Sequence, residues 1–161
     1  MLTAFAALVA ASQAAPPPNS LDLGRTAWIV ATVGHSEWCP AGNVRLDLIS
    51  GRYAFTPRAA RRVCNDSGLE RPVNLGRLDT QRLAAVRAAY LRVWGEGLES
   101  SACQEGRRPE SIIISNGGTP ILVLATGGMT VSAPDDLSCW TEAAWALQDE
   151  LDEAFSSAHQ R

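Results

Sequence analysis

Residues 44–56 read VRLDLISGRYAFT, and the alternation in this stretch decides the kind of fold to expect. Two runs, 44–49 and 52–56, carry apolar residues at every second position and flank Ser50-Gly51. Side chains on a strand point alternately to opposite faces, and a short Gly-containing turn between two such runs is a hairpin signal. A two-residue turn sets Leu48 opposite Tyr53 and Leu46 opposite Phe55, leaving Arg45, Asp47, Arg52 and Thr56 on the other face. One face is expected in the core and the other in water.

The hairpin is the first piece of a plan that the chain uses twice. Before it, residues 27–33 (AWIVATV) form an apolar run that reads as a strand. After it and an Arg-rich connection, Leu83, Val86, Tyr90, Val93 and Trp94 recur at spacings of three and four, which predicts a helix over 79–96 with Asp79 or Thr80 as cap and Gly95 and Gly97 as stop. The second half predicts strands at 111–116, 121–126 and 129–132, separated by Gly117-Gly118 and Gly127-Gly128. A final helix over 138–156 follows, with Trp140, Ala144, Leu147, Leu151 and Phe155 on one stripe and Asp135, Asp136 and Ser138 near its start. The predicted fold is α+β: a mainly antiparallel sheet of about six strands in the order β-ββα-βββα, with two amphipathic helices packed on one face. Residues 112–114 and 121–124 are apolar at consecutive positions, so both faces of those strands want cover. The connection at 57–76, the amino-terminal region or a second copy in a homodimer would supply it, and cover from within the chain is the reading preferred.

Residues 2–11 (LTAFAALVAA) have the length of a signal-peptide apolar region and are too short to span a bilayer, which takes roughly 20 apolar residues. Cleavage after Ala14 puts small residues at Ser12 and Ala14. The expected organisation is therefore a signal peptide at 1–14, a disordered or polyproline lead-in at 15–24 that carries three consecutive prolines, and one domain at 25–158. The product is expected in the periplasm or outside the cell, and it does not span the membrane. Four cysteines behind such a leader read as two disulfides. Cys39 and Cys64 bracket the first hairpin, while Cys103 and Cys139 bracket the second set of strands, so sequential pairing gives each half the same staple. None lies in a C-x-x-C pair, which argues against zinc and thioredoxin-like chemistry; no metal or cofactor is expected.

All fourteen basic residues are arginine, which with abundant alanine points to a GC-rich bacterial coding bias. Residues 45–92 hold ten arginines against four acids, and residues 93–161 hold three against eleven. An acidic half folded against a basic one weighs against nucleic-acid binding. Of the two histidines, His159 lies near the carboxyl terminus, leaving His35 as the one credible general base. Beside it stand Ser36 and Glu37, but adjacent residues do not reach a base from opposite ring nitrogens, and there is no G-x-S-x-G elbow. A small hydrolase-like enzyme centred on His35 is thus the alternative reading.

The leading expectation is a non-enzymatic, disulfide-stabilised module that binds a protein or another envelope component. Its candidate surface combines Trp38, His35 and Glu37 in the loop 34–42 with Arg58, Arg61 and Arg62 in the connection that follows the hairpin, an aromatic anchor beside guanidinium groups. Trp28, Trp94 and Trp140 are assigned to the core, and Trp145 lies off the stripe of the last helix. Intact mass spectrometry of the exported protein should give a chain beginning at Ala15, and a mature product that retains Met1 refutes the leader. Peptide mapping without reduction should recover Cys39 joined to Cys64, not to Cys103 or Cys139.

Overall fold

A computed structural model describes residues 27–35, 40–57, 73–107 and 120–156, with backbone only at 35, 40 and 41. Six strands form one antiparallel sheet: β1 (Ala27–His35), β2 (Pro40–Asp47), β3 (Arg52–Pro57), β4 (Asn74–Arg77), β5 (Leu122–Thr126) and β6 (Met129–Ser132). Their spatial order is β4-β3-β2-β1-β5-β6. The helices α1 (Thr80–Glu96) and α3 (Glu142–Phe155) pack on one face, and between them in sequence lie the one-turn helix α2 (Ser101–Gln104) and a 3₁₀ turn (Leu137–Cys139). The α+β fold expected from the sequence is the fold observed.

The core follows from alternation. On β1, Ala27, Ile29, Ala31 and Val33 are buried, as are Val44, Leu46 and Leu48 from β2 and the turn after it, Phe55 on β3, and Leu122 and Leu124 on β5. Leu83, Val86, Tyr90 and Val93 from α1 and Ala144, Leu147, Leu151 and Phe155 from α3 close the same cluster. Burying each larger apolar side chain contributes about 1.5–3 kcal/mol. Asp79 caps α1 by accepting from the Arg82 N–H at 2.9 Å, and the helix ends where Gly97 N–H returns to the Val93 carbonyl at 2.7 Å.

Five details depart from the sequence reading. β1 continues through His35 and β2 begins at Pro40, so part of the loop read at 34–42 is strand. The first hairpin pairs Leu46 with Tyr53 and Val44 with Phe55, two residues off the predicted register. Its turn spans residues 48–51 because the Asp47 carboxylate accepts from the Ser50 hydroxyl at 2.6 Å and the Ile49 amide at 2.8 Å, while Gly51 N–H donates to the Asp47 carbonyl. A shift of two keeps every side chain on its predicted face. A fourth strand, β4, stands where a connection was predicted; Gly76 lies opposite Tyr53, and a Cβ there would sit 2.4 Å from the tyrosine ring. The last helix starts at Glu142, capped by Thr141, whose hydroxyl accepts from Ala144 N–H at 3.1 Å, while Asp136 caps only the 3₁₀ turn. Trp28 is on the solvent side of β1, out of phase with its buried neighbours. The predicted strand at 111–116 and its Gly117-Gly118 turn lie outside the described residues. The Gly127-Gly128 turn joins β5 to β6 as expected, with both φ angles positive, which is the hairpin geometry that favours glycine.

Where β5 runs out, helix side chains finish β1. Ile121 and Thr32 exchange two bonds, Thr32 N–H to the Ile121 carbonyl at 2.8 Å and Ile121 N–H to the Thr32 hydroxyl at 3.0 Å. Beyond this point the Thr32 carbonyl accepts from Gln148 Nε2 at 2.8 Å, and Gly34 N–H donates to the Asp152 carboxylate at 2.7 Å. Gln148 also donates to Asp152 at 3.1 Å. Buried backbone groups need partners, and α3 supplies two.

At the opposite end of the helix pair, Cys103 and Cys139 form a disulfide, as the sequential pairing requires. The same corner holds the Glu99–Trp140 bridge, Ser100 N–H on the Cys139 carbonyl at 2.8 Å, and the Thr141 hydroxyl on the Gly97 carbonyl at 2.8 Å. Cys39 and Cys64 lie outside the described residues. With 36 residues of separation, the Cys103–Cys139 bond stabilises by about 4 kcal/mol if it acts through loop closure. Cys103→Ser with Cys139→Ser should therefore lower unfolding free energy in urea by about 3–4 kcal/mol; a change under 1 kcal/mol would show that the surrounding hydrogen bonds hold the corner unaided.

Candidate functional site

The face of the sheet turned away from the helices carries the most site-like group of side chains among the described residues. Register fixes two neighbouring rows across it. In one, Val30 faces Arg45, Arg45 faces Ala54, and Ala54 faces Leu75; in the other, Trp28 faces Asp47, and Arg52 faces Arg77. Even-numbered residues of β1 meet odd-numbered residues of β2 on this side, so the parity that buries Ile29 and Leu46 places Trp28 and Arg45 outside.

Together with Tyr53, several of these residues line a shallow groove of about 380 Å³ formed by Ala27, Trp28, Arg45, Asp47, Arg52, Ala54 and Leu75. The Arg45 guanidinium stands 5.1 Å from the centroid of the Trp28 ring. At an exposed position such a cation-π contact contributes about 0.5–1 kcal/mol, enough to pre-orient both side chains. Neither Arg45 nor Arg52 forms an ion pair with another described residue. Arg77 donates from Nε to the Ser50 carbonyl at 2.8 Å.

Asp47 is the one carboxylate in the groove, and its oxygens are engaged locally. Burial alone would raise its pKa, but the Ser50 hydroxyl, the Ile49 and Ser50 amides and the nearby Arg52 charge outweigh burial and hold the carboxyl below the ordinary value of 3.8. The groove thus combines an aromatic ring, an apolar floor and an excess of guanidinium charge, a set suited to gripping an anionic partner that also offers apolar surface.

A second groove of similar size lies between α1 and α3, lined by Asp79, Gln81, Arg82, Ala85, Glu150, Glu153 and Ala154. Asp79 there caps α1 and pairs with Arg82 at 3.6 Å, so its charge is matched within the chain. On α1, Arg87 is likewise committed, to the Leu48 and Ile49 carbonyls at 2.7 and 2.8 Å. Among the described residues no group of three or more His, Cys, Asp or Glu side chains converges as metal ligands would, and no helix is long and apolar enough to cross a membrane.

Of the residues singled out from sequence, His35 ends β1 opposite Pro40; Glu37, Trp38, Arg58, Arg61 and Arg62 lie outside the described residues. Gly42 pairs with Pro57, so the β1–β2 connection and the chain leaving β3 depart from the same end of the sheet. Trp28 is seven residues along β1 from His35, about 23 Å at strand rise, so the groove occupies the other end. Sequence reasoning missed it by treating 27–33 as an undivided apolar run; the parity of Trp28 against Ile29, Ala31 and Val33 was the available signal. Of the other tryptophans, Trp140 is buried as expected, Trp94 is partly buried against the core, and Trp145 packs on Trp140 with ring centroids 5.0 Å apart.

Comparison with family models, curated proteins and solved structures gives no match to this chain.

The depressed carboxyl of Asp47 makes its environment measurable. A group of this kind contributes stability above its unfolded-state value and loses that contribution as pH falls through the folded-state value. Asp47→Asn should melt below wild type at pH 7, and the gap should close as the pH drops below 3.8. Melting curves between pH 7 and pH 2, roughly spanning the carboxylate range, check this; a constant gap would place the effect elsewhere than the charge.

Proposed function

We propose that this chain is an exported bacterial binding module, stapled by disulfide bonds, whose working surface is the solvent face of β1–β4 around Trp28 and Arg45. The observation that carries the proposal is the stacked Trp28–Arg45 pair beside Arg52 and the exposed Leu75, on a sheet face turned away from both helices. A domain needing only stability has little reason to gather Arg45, Arg52 and Arg77 around a single carboxylate, Asp47, next to apolar side chains. Export is supported by the short apolar leader and by the Cys103–Cys139 bond, which an oxidising compartment sustains. The partner is an envelope component or protein that brings negative charge.

The hydrolase alternative centres on His35. Beside that position in the described structure stands the Asp152 carboxylate, engaged by Gly34 N–H and by Gln148. That is the arrangement of a strand-finishing contact, and it favours the binding reading.

The oxidised protein, immobilised and washed with a bacterial envelope fraction, should retain a component that salt releases. Trp28→Ala with Arg45→Gln should cut that retention at least about tenfold while the melting temperature stays within a few degrees, since one hot-spot pair is worth about 2 kcal/mol or more. Retention unchanged in this variant, but lost in Arg61→Ala with Arg62→Ala, would move the surface to the other end of the sheet. No retention by the wild type overturns the binding reading.

A further inference from the structure

Resting on that reading, we propose that the solvent face of β2–β4 docks on an anionic lipid bilayer, with the arginines meeting lipid phosphates and Leu75 entering the interfacial layer. Three observations converge. First, Arg52 and Arg77 stand directly opposite each other on β3 and β4. Like charges at a cross-strand position oppose pairing, and the one carboxylate beside them, Asp47 next to Arg52, is already engaged by Ser50 and by the Ile49 amide. Such a local conflict is expected where an outside anion resolves it. With Arg45 in the next row, three guanidiniums share one face.

Second, the apolar members of this face protrude. Leu75 is 80% exposed and Val73 51% exposed, at and just before the edge strand β4. Protein hot spots are desolvated in pockets, whereas here apolar side chains stand out beside a shallow groove. Apolar side chains projecting between arginines, with a tryptophan at their margin, match the pattern by which proteins rest in the headgroup layer.

Third, acidic charge is concentrated on α3, while α1 in the same layer carries Arg82, Arg87 and Arg92 beside Asp79 and Glu96. Glu142, Asp149, Glu150 and Glu153 lie on α3, across the sheet from the arginine face. The chain is net negative at −3, so an anionic surface attracts it only through a locally basic face. A flat, laterally extended array of phosphates fits this face better than a single small anion, which the open groove would not enclose.

The test uses the full oxidised chain and sedimentation with vesicles of phosphatidylglycerol mixed with phosphatidylethanolamine, against vesicles of phosphatidylcholine alone. Partition onto the anionic vesicles is expected to fall with added salt and to resist competition by millimolar inorganic phosphate. Each arginine near an anionic surface contributes about fivefold, so Arg45→Gln with Arg52→Gln should reduce partition about 25-fold. Leu75→Ser should reduce it severalfold without altering the melting temperature. Equal partition onto phosphatidylcholine, or variants that partition like wild type, overturns the proposal. Capture on polyglutamate but not on vesicles reassigns the face to an acidic protein and overturns the lipid docking alone, as does salt-releasable capture of a non-lipid envelope component without vesicle binding. Absence of all three interactions overturns the binding reading as well.

Discussion

The period-two alternation of β1 is the constraint on which the rest of the molecule is arranged. Ala27, Ile29, Ala31 and Val33 point to one side and are sealed by the helices; Trp28 and Val30 point to the other. A slip of β1 by one residue would exchange these sets, driving an indole into the core, away from its arginine, and exposing the isoleucine and valine. β1 is also the seam between the two halves of the chain, pairing with β2 on one edge and β5 on the other. Its conformation therefore sets the register of everything that follows on either side.

Small residues let α3 lie over this seam. Ala27 and Ala31 on the strand and Ala143 and Ala144 on the helix are all buried, and the helix is near enough for Gln148 and Asp152 to bond the strand backbone. These contacts explain a polar residue, Gln148, at 2% exposure in an otherwise apolar layer. Tyr90 on α1 acts similarly, donating to the Ala125 carbonyl at 3.1 Å, and burial pushes its phenol above the ordinary value. Both helices thus join the sheet and its first turn through a few directed bonds inside a largely non-directional apolar contact.

The elements legible in the sequence are those whose signal is local. The 3.6-residue stripe of α1 and the Gly127-Gly128 hairpin depend on near neighbours, and both stand as read. β4 was not legible: Asn74-Leu75-Gly76-Arg77 has no apolar alternation, and its strand is defined by long-range backbone pairing with β3, where Gly76 leaves room for the Tyr53 ring. The turn at 48–51 was misjudged for a related reason, since Asp47 competes for backbone amides in a way that a count of residues between strands does not reveal. The groove itself was half legible. Arg45 and Arg52 were assigned to the wet face from alternation, but Trp28 was assigned to the core because a continuous apolar run hides its parity. Of the residues on which the sequence reading centred its surface, His35 ends β1, while Glu37, Trp38, Arg58, Arg61 and Arg62 lie outside the described structure.

The Cys103–Cys139 bond closes a covalent ring that contains β5 and β6 and meets the rest of the molecule at the corner between the helices. A protease cutting anywhere inside that ring would sever the backbone without releasing a fragment, because both new ends stay joined through sulfur. The hairpin of β5 and β6 would remain held against β1 by its own ladder. In a protease-rich compartment the domain would then persist as a nicked single molecule, revealed as two pieces only under reduction.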